Sequence, residues 1–412
     1  MVRKTETPIS WRRNLYSVWF AELVAIIGFT VVMPILPLYV RELGVQGERE
    51  VSLWSGLIFS SQAVTMAIFA PIWGALSDRY GRKVMVERAM FSGALLISLM
   101  GWAQSAQQLV LLRALQGMLT GTVTAATALV ATVAPREKSG YALGLLQMAI
   151  FTGASVGPLL GGVVADMFGF RMAFWITGAL LFLAALVVLI FVQEPAHSAA
   201  PMENEQPSAD EGQTLRRRMW MYLAPVLGSA PLLGVLGVRL LMRLAARMTG
   251  PTLPLFIEAI SPLDARVASI TGLVSGVGAL FGALGGVGLG RLSDRIGYRR
   301  ILMTCAMLSI VCYVPQSFVN HPLWLLPLQA GTGLAMGGIL ASISASLATL
   351  SPKGQEGIVY GVDASVVSVA NAIGPMTGSA VAAWLGLRVP FLAAASIFVL
   401  AGIAAFRWIP RH

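Results

Sequence analysis

The chain has 412 residues, of which 56% are apolar and only 12% charged, about half the charged share of an ordinary soluble domain. Core packing cannot hide that much apolar surface, so the surrounding medium must be lipid and a water-soluble domain is excluded. The formal charge of +10 does not point to nucleic acid either, because the Lys and Arg residues are scattered among short loops instead of forming a basic domain.

Met1 to Arg13 is polar and basic, and the apolar run after it is long enough to span, so no cleavable signal peptide is expected. A helix crossing about 30 Å of hydrocarbon needs about 20 residues. The first half offers six such spans, near 14–39, 53–76, 84–104, 108–132, 141–165 and 172–192. Residues 193–222 form the one long polar break, with Glu194, Glu203, Glu205, Asp210 and Glu211 followed by Arg216-Arg217-Arg218. That is a linker composition whose basic end suits anionic headgroups. Six more spans follow, near 226–257, 268–290, 301–319, 323–348, 358–384 and 389–409. The expected organisation is a bundle over 1–192, a linker over 193–222 and a second bundle over 223–412.

Basic residues set the orientation. With the N-terminus inside, the cytoplasmic segments hold most of the 29 Lys and Arg residues, while outer loops hold only Arg41, Arg49, Arg171, Arg266 and Arg388. The positive-inside rule then places both termini in the cytoplasm of a cell-membrane protein.

The halves repeat one another at an offset of about 217 residues. Gly74 to Lys83 returns as Gly290 to Arg299, Pro34 and Pro37 as Pro251 and Pro254, and Gly157-Pro158 as Gly374-Pro375. A collinear series of this kind means duplication, and paired apolar halves mark secondary transporters.

In the first repeated loop, Gly74 and Gly81 allow a tight turn, while Asp78 lies among Arg79, Arg82 and Lys83. Charge-assisted contacts there would latch one arrangement of the bundles, with Asp294 and Arg295 as the partner latch. The plainer alternative is that these charges only enforce topology. In span five, Gly153, Gly157, Gly161 and Gly162 make a small-residue face beside Pro158, suited to close, flexible packing between halves.

Charged residues inside the spans include Glu22, Arg113, Arg239, Arg243, Arg247 and Asp363. Each costs at least about 2.5–3.5 kcal/mol in hydrocarbon, so each must face a partner or a wet cavity. Glu22 is the expected proton acceptor and Asp363 the runner-up; the alternative for Glu22 is a static ion pair with Arg113 or Arg239. The repeat aligns Arg239 with Glu22, so the two are expected to face each other. Arg239, Arg243 and Arg247 share one helix face. The surplus of cations argues for a cargo bearing carboxylate or phosphonate, or for a neutral one. Alternatively, Arg239 snorkels to the interface and only two arginines count. Phe29, Gln62, Gln147 and Asn371 are further candidates for the cavity wall. Cys305 and Cys312 stand about two helical turns apart, too far to bridge, and no Cys/His cluster suggests a metal site. No nucleotide-binding loop occurs, so no cofactor is expected.

Four segments carry a family resemblance: the loop Gly74–Lys83, the span-four run Leu109–Gly117 with its arginine, the span-five run Gly153–Gly162, and Ile27-Gly28 with Pro34-Ile35-Leu36-Pro37. Together they resemble the major facilitator superfamily, and within it the twelve-span drug:proton antiporters. The resemblance implies an all-α membrane fold of two six-helix bundles related by a pseudo-twofold axis. It also implies export of small amphipathic molecules by alternating access, driven by the proton gradient. Arg113 would then serve proton coupling or substrate contact. The partners implied are a small-molecule substrate, protons and membrane lipid, with no nucleic acid and a monomeric state. Two rivals stay open: a dedicated exporter of an anionic metabolite, such as an amino-acid-derived metal chelator or an organophosphonate, and a non-transporting membrane sensor or scaffold.

Overall fold

The computed structural model describes residues 11–193, 228–352 and 355–409. Nearly all of the expected linker, with Arg216-Arg217-Arg218, lies outside the described residues, as does the side chain of Asp78.

The first half comprises α1 (Trp11–Val31), α2 (Leu36–Glu42), α3 (Glu48–Tyr80), α4 (Arg82–Met100), α5 (Ala106–Leu119), α6 (Thr122–Val133), α7 (Ser139–Phe168) and α8 (Phe170–Phe191). The second comprises α9 (Ala230–Met248), α10 (Thr252–Ile260), α11 (Val267–Ile296), α12 (Tyr298–Gln316), α13 (Leu325–Leu350), α14 (Glu356–Leu385) and α15 (Val389–Trp408). Three spans are broken. Span one divides into α1 and α2 around Pro34, and span seven into α9 and α10 around Pro251, the position that the repeat pairs with Pro34. Proline has no amide hydrogen to continue the ladder, so both breaks follow from the residue type.

Span four was expected as one helix over 108–132, and it divides into α5 and α6 at Thr120-Gly121. Gly121 takes φ 137°, a conformation open to little besides glycine. Its repeat counterpart α13 is continuous.

The hairpins between consecutive spans preserve the duplication. Gly81 (φ 97°) joins α3 to α4 and Gly297 (φ 93°) joins α11 to α12, while Gly169 (φ 85°) and Gly386 (φ 98°) do the same for α7–α8 and α14–α15. Gly81 therefore makes the expected turn. Gly74 does not: it lies inside α3 with open space where a Cβ would sit.

Among the described residues, nine helical segments are long and apolar enough to cross a membrane. The spans that miss that standard are α4, α9 and α12. The first carries Arg82, Lys83, Glu87 and Arg88, the second Arg239, Arg243 and Arg247, and the third Arg299 and Arg300.

Helix packing repeats too. α1 packs on α7 and α8 as α9 packs on α14 and α15, and α3 packs on α5 as α11 packs on α13. The halves meet along two symmetry-related seams, α3 against α14 and α7 against α11. An even number of crossings puts Trp11 and Ile409 on one side, called here the terminal face; the opposite side is the far face.

Candidate functional site

The four-residue spacing along α9 points Arg239, Arg243 and Arg247 into one cavity of about 510 Å³. Its walls come mainly from α9, α11 and α13, joined by Leu253 of α10 and Tyr313 of α12, with Phe151 and Ala154 of α7 closing it from the other half. Arg239 and Asp363 form a two-pronged pair, Nε to Oδ1 at 3.1 Å and Nη2 to Oδ2 at 3.2 Å. The two side chains are 13% and 12% exposed. Two turns further along α14, the Asn371 amide oxygen accepts from Nε of Arg243 (3.2 Å) and from Nε of Arg247 (2.8 Å). Asp363 cancels one arginine, and neutral Asn371 leaves the other two charges in surplus.

Gly374 lets this ladder form. A Cβ there would stand 2.7 Å from the Arg247 Cβ and 3.2 Å from the Leu244 carbonyl, so only glycine lets α14 approach α9 closely. Breaking a buried pair strands its partner, which costs about 3–5 kcal/mol. Asp363→Asn should therefore lower thermal stability, and adding Arg239→Gln should restore most of the loss. Equal melting temperatures for Asp363→Asn and wild type would contradict the pairing.

Glu22 stands about 17 Å along α1 from Trp11 and is 0% exposed. Its Oε1 accepts from the Thr122 hydroxyl at 3.3 Å, and Oε2 has no hydrogen-bond partner. Thr122 opens α6, so the break in span four puts the positive end of a half-helix beside this carboxylate. Arg113 is 1% exposed; it donates to Gln116 Oε1 at 2.7 Å and lies 5.7 Å from the centre of the Phe59 ring.

The expected alternatives for Glu22 do not hold. It forms an ion pair with neither Arg113 nor Arg239, and Arg239 faces Asp363 in place of its repeat counterpart Glu22. The twofold axis relates helix positions without pairing Glu22 and Arg239 with each other across the halves.

Three of the expected wall residues are elsewhere. Phe29 turns toward Gly93 of α4, the Gln62 carbonyl backs onto Gly117 of α5, and Gln147 is exposed on α7 without lining the cavity. The wall instead includes Tyr313, Gln329 and Thr332. Their signal in the sequence is weak, since each is a single polar group in an apolar run.

The span-five glycines divide between two partners. Gly153, Gly157 and Gly161 seat α1 inside their own half, against Ile26, Thr30 and Val31. Only Gly162 meets the other half, at the Ala268 backbone, and Gly272 of α11 returns the contact at the Pro158 carbonyl. The far-face ends of the halves are tied by further contacts. Arg41 pairs with Glu258 at 3.1 Å, and Asp166 accepts from the amides of Ala268 (3.3 Å) and Ser269 (2.6 Å). Arg49 stacks over Trp384 at 3.6 Å.

At the terminal face, among the described side chains of the expected latch, Arg79, Asp294 and Arg295 are exposed, and Arg82 donates to the Ala128 carbonyl and to Thr132 within its own half.

Comparison with known proteins agrees with this architecture. The model of the Major Facilitator Superfamily matches residues 18–237 and again 235–412. The chain is 34% identical to a protein named multidrug resistance protein MdtG from Salmonella arizonae over 408 residues, covering 99% of this chain and 98% of that one. It is 36% identical to the protein of that name from Enterobacter lignolyticus, covering 95% and 91%. Among solved structures, a bacterial homologue of the human lysosomal transporter Spinster, inward-facing and occupied, aligns with a TM-score of 0.77 at 16% identity, covering 97% of each chain. A D-xylose-proton symporter aligns at 0.73 and 13%, covering 97% and 98%. At such identities these structures speak to the fold alone.

Proposed function

The chain belongs to the major facilitator superfamily and is a transmembrane transporter, and on that premise we propose that it is a proton-coupled multidrug exporter working by alternating access. The observation that carries this reading is the division of buried charge. One half holds a carboxylate with no ionic partner, Glu22, and the other holds a cavity of about 510 Å³ with two surplus cations. The names of the MdtG relatives support the multidrug cargo.

In this proposal the terminal face is cytoplasmic, as the distribution of Lys and Arg favours. The far-face contacts then close the outside, and cargo enters the arginine cavity from the cytoplasm. Arg243 and Arg247 hold an anionic or strongly polar group of the cargo, while apolar walls take the rest. Proton uptake at Glu22 from outside, and its release inside, drive the cycle; Asp363 couples the cavity by loosening or re-forming its pair with Arg239. The protein acts as a monomer in the cell membrane, with 193–222 joining bundles 1–192 and 223–412. Gly74 to Lys83, including Asp78, engages Asp294 and Arg295 when the inside closes.

Accumulation of dyes and anionic antibiotics, measured in expressing cells at two external pH values, tests the function. Lower accumulation that deepens as external pH falls supports it; accumulation equal to that of empty cells overturns it. The closure has its own test. In Gly162→Leu the added side chain overlaps the Ala268 backbone, so spin labels at the far-face ends of α2 and α10 should move apart. Unchanged label distances would refute the role given to this seam.

A further inference from the structure

A second cavity, of about 330 Å³, opens among α3, α4 and α6 in the terminal-face half of the protein, and none of its lining residues belongs to the arginine cavity. Among the described residues its polar lining is Ser77, Arg82, Arg88, Thr120 and Thr124, with no carboxylate among them. Arg88 lies about 9 Å along α4 from its first residue, the depth at which headgroups give way to acyl chains.

The surroundings of Arg88 are fixed but incomplete. Trp73 donates from Nε1 to the Met118 carbonyl at 2.6 Å, which anchors its ring, and the Arg88 guanidinium stacks 3.4 Å from the ring centre. Nε and Nη1 of Arg88 are buried with no hydrogen-bond partner. The adjacent Glu87 does not compensate this charge, since it pairs with Lys83 at 3.4 Å. A ring face balances a guanidinium only in part. A buried cation without a hydrogen-bond partner at Nε and Nη1, beside an open cavity whose described lining carries hydroxyls and no carboxylate, is therefore complementary to an anion, and the arginine fork suits phosphate oxygens.

We propose that this cavity binds a phosphate group, supplied by the headgroup of an anionic phospholipid in the cytoplasmic leaflet. The leaflet, but not the site, rests on the orientation proposed above. Ile68 and Ile72 of α3 and Val84 of α4 are exposed apolar residues on the two helices that frame the cavity, surface on which acyl chains can lie. Basic pockets between helices on the cytoplasmic side recognise lipid headgroups in this way. The site includes Gly74, Ser77 and Arg82 from the repeated loop, so an occupied cavity ties lipid composition to the segment assigned to the latch.

The test uses the full-length protein purified in detergent, with native mass spectrometry and thermal unfolding as readouts and no pH gradient. Failure of proton-coupled export would therefore leave the result intact, and the reverse holds too. Phosphatidylglycerol should bind and raise the melting temperature of wild type more than phosphatidylcholine does. In Arg88→Gln its affinity should fall roughly tenfold, the loss of one charge-assisted contact, with partial recovery in Arg88→Lys. Thr124→Val, at an exposed position on α6, serves as a second variant that spares the interior and should weaken binding less. Equal phosphatidylglycerol binding by wild type, Arg88→Gln and Thr124→Val would overturn the site. Stabilisation by inorganic phosphate as strong as that by phosphatidylglycerol would keep the phosphate site but overturn its lipid source.

Discussion

Glu22→Gln is expected to abolish uphill export while leaving the protein at least as stable as wild type. Glutamine keeps the shape and the acceptor that Thr122 uses, and it removes a charge that has one hydrogen bond and no ion pair. That charge costs at least about 2.5–3.5 kcal/mol in a hydrocarbon setting, so its removal should raise the unfolding temperature. Function should move the other way, because a permanently neutral side chain cannot exchange protons. Uphill export should drop by at least about tenfold, equivalent to roughly 1.4 kcal/mol, with substrate binding retained. Normal export by Glu22→Gln across external pH would transfer the carrier role to Asp363. A large loss of stability would instead make Glu22 a structural residue.

Arg243→Ala should have the second largest effect, and a selective one. Arg239 is neutralised by Asp363, whereas Arg243 and Arg247 share a single uncharged acceptor in Asn371. Removing one of the two surplus cations deletes a charge-assisted contact worth about 1.5–3 kcal/mol. Export of a carboxylate or phosphonate compound should fall about 10- to 100-fold, while a neutral dye of similar size is exported nearly as before. Parallel export assays with one anionic and one neutral substrate distinguish the outcomes. Equal losses for both would mean that the arginine shapes the cavity without reading charge.

How much of this was legible in the sequence depends on what each residue has to signal. The duplication needed no coordinates, because Pro34 with Pro251 and Gly81 with Gly297 recur at offsets that agree within one residue, and those residue types dictate backbone breaks and turns. The arginine trio was equally plain, since a four-residue spacing fixes a common face. Side-chain direction elsewhere was not. In a membrane helix both the lipid side and the core side are apolar, so the sequence carries no phase that turns Phe29 toward Gly93 or leaves Gln147 off the cavity wall.

Arg88 was hidden by its neighbours. It follows Arg82, Lys83 and Glu87 closely enough to read as the tail of a basic loop, and only the cavity beside Trp73 separates it from them. The break in span four was hidden for another reason. Thr120-Gly121 contains no proline, and glycine within an apolar run more often marks helix packing than interruption. That break places Thr122 and the end of α6 beside Glu22. The partner of the most important carboxylate was therefore invisible until the backbone was seen.

The central claim is that export of cargo and inward movement of protons are one process. Purified protein in sealed vesicles, with a pH-sensitive dye trapped inside, reads that exchange directly. With the cytoplasmic side facing the external buffer and the interior more acidic, added cargo should accumulate inside while the trapped dye reports loss of interior protons. Glu22→Gln should stop both signals together. Cargo uptake that proceeds unchanged when the pH difference is collapsed would contradict the account.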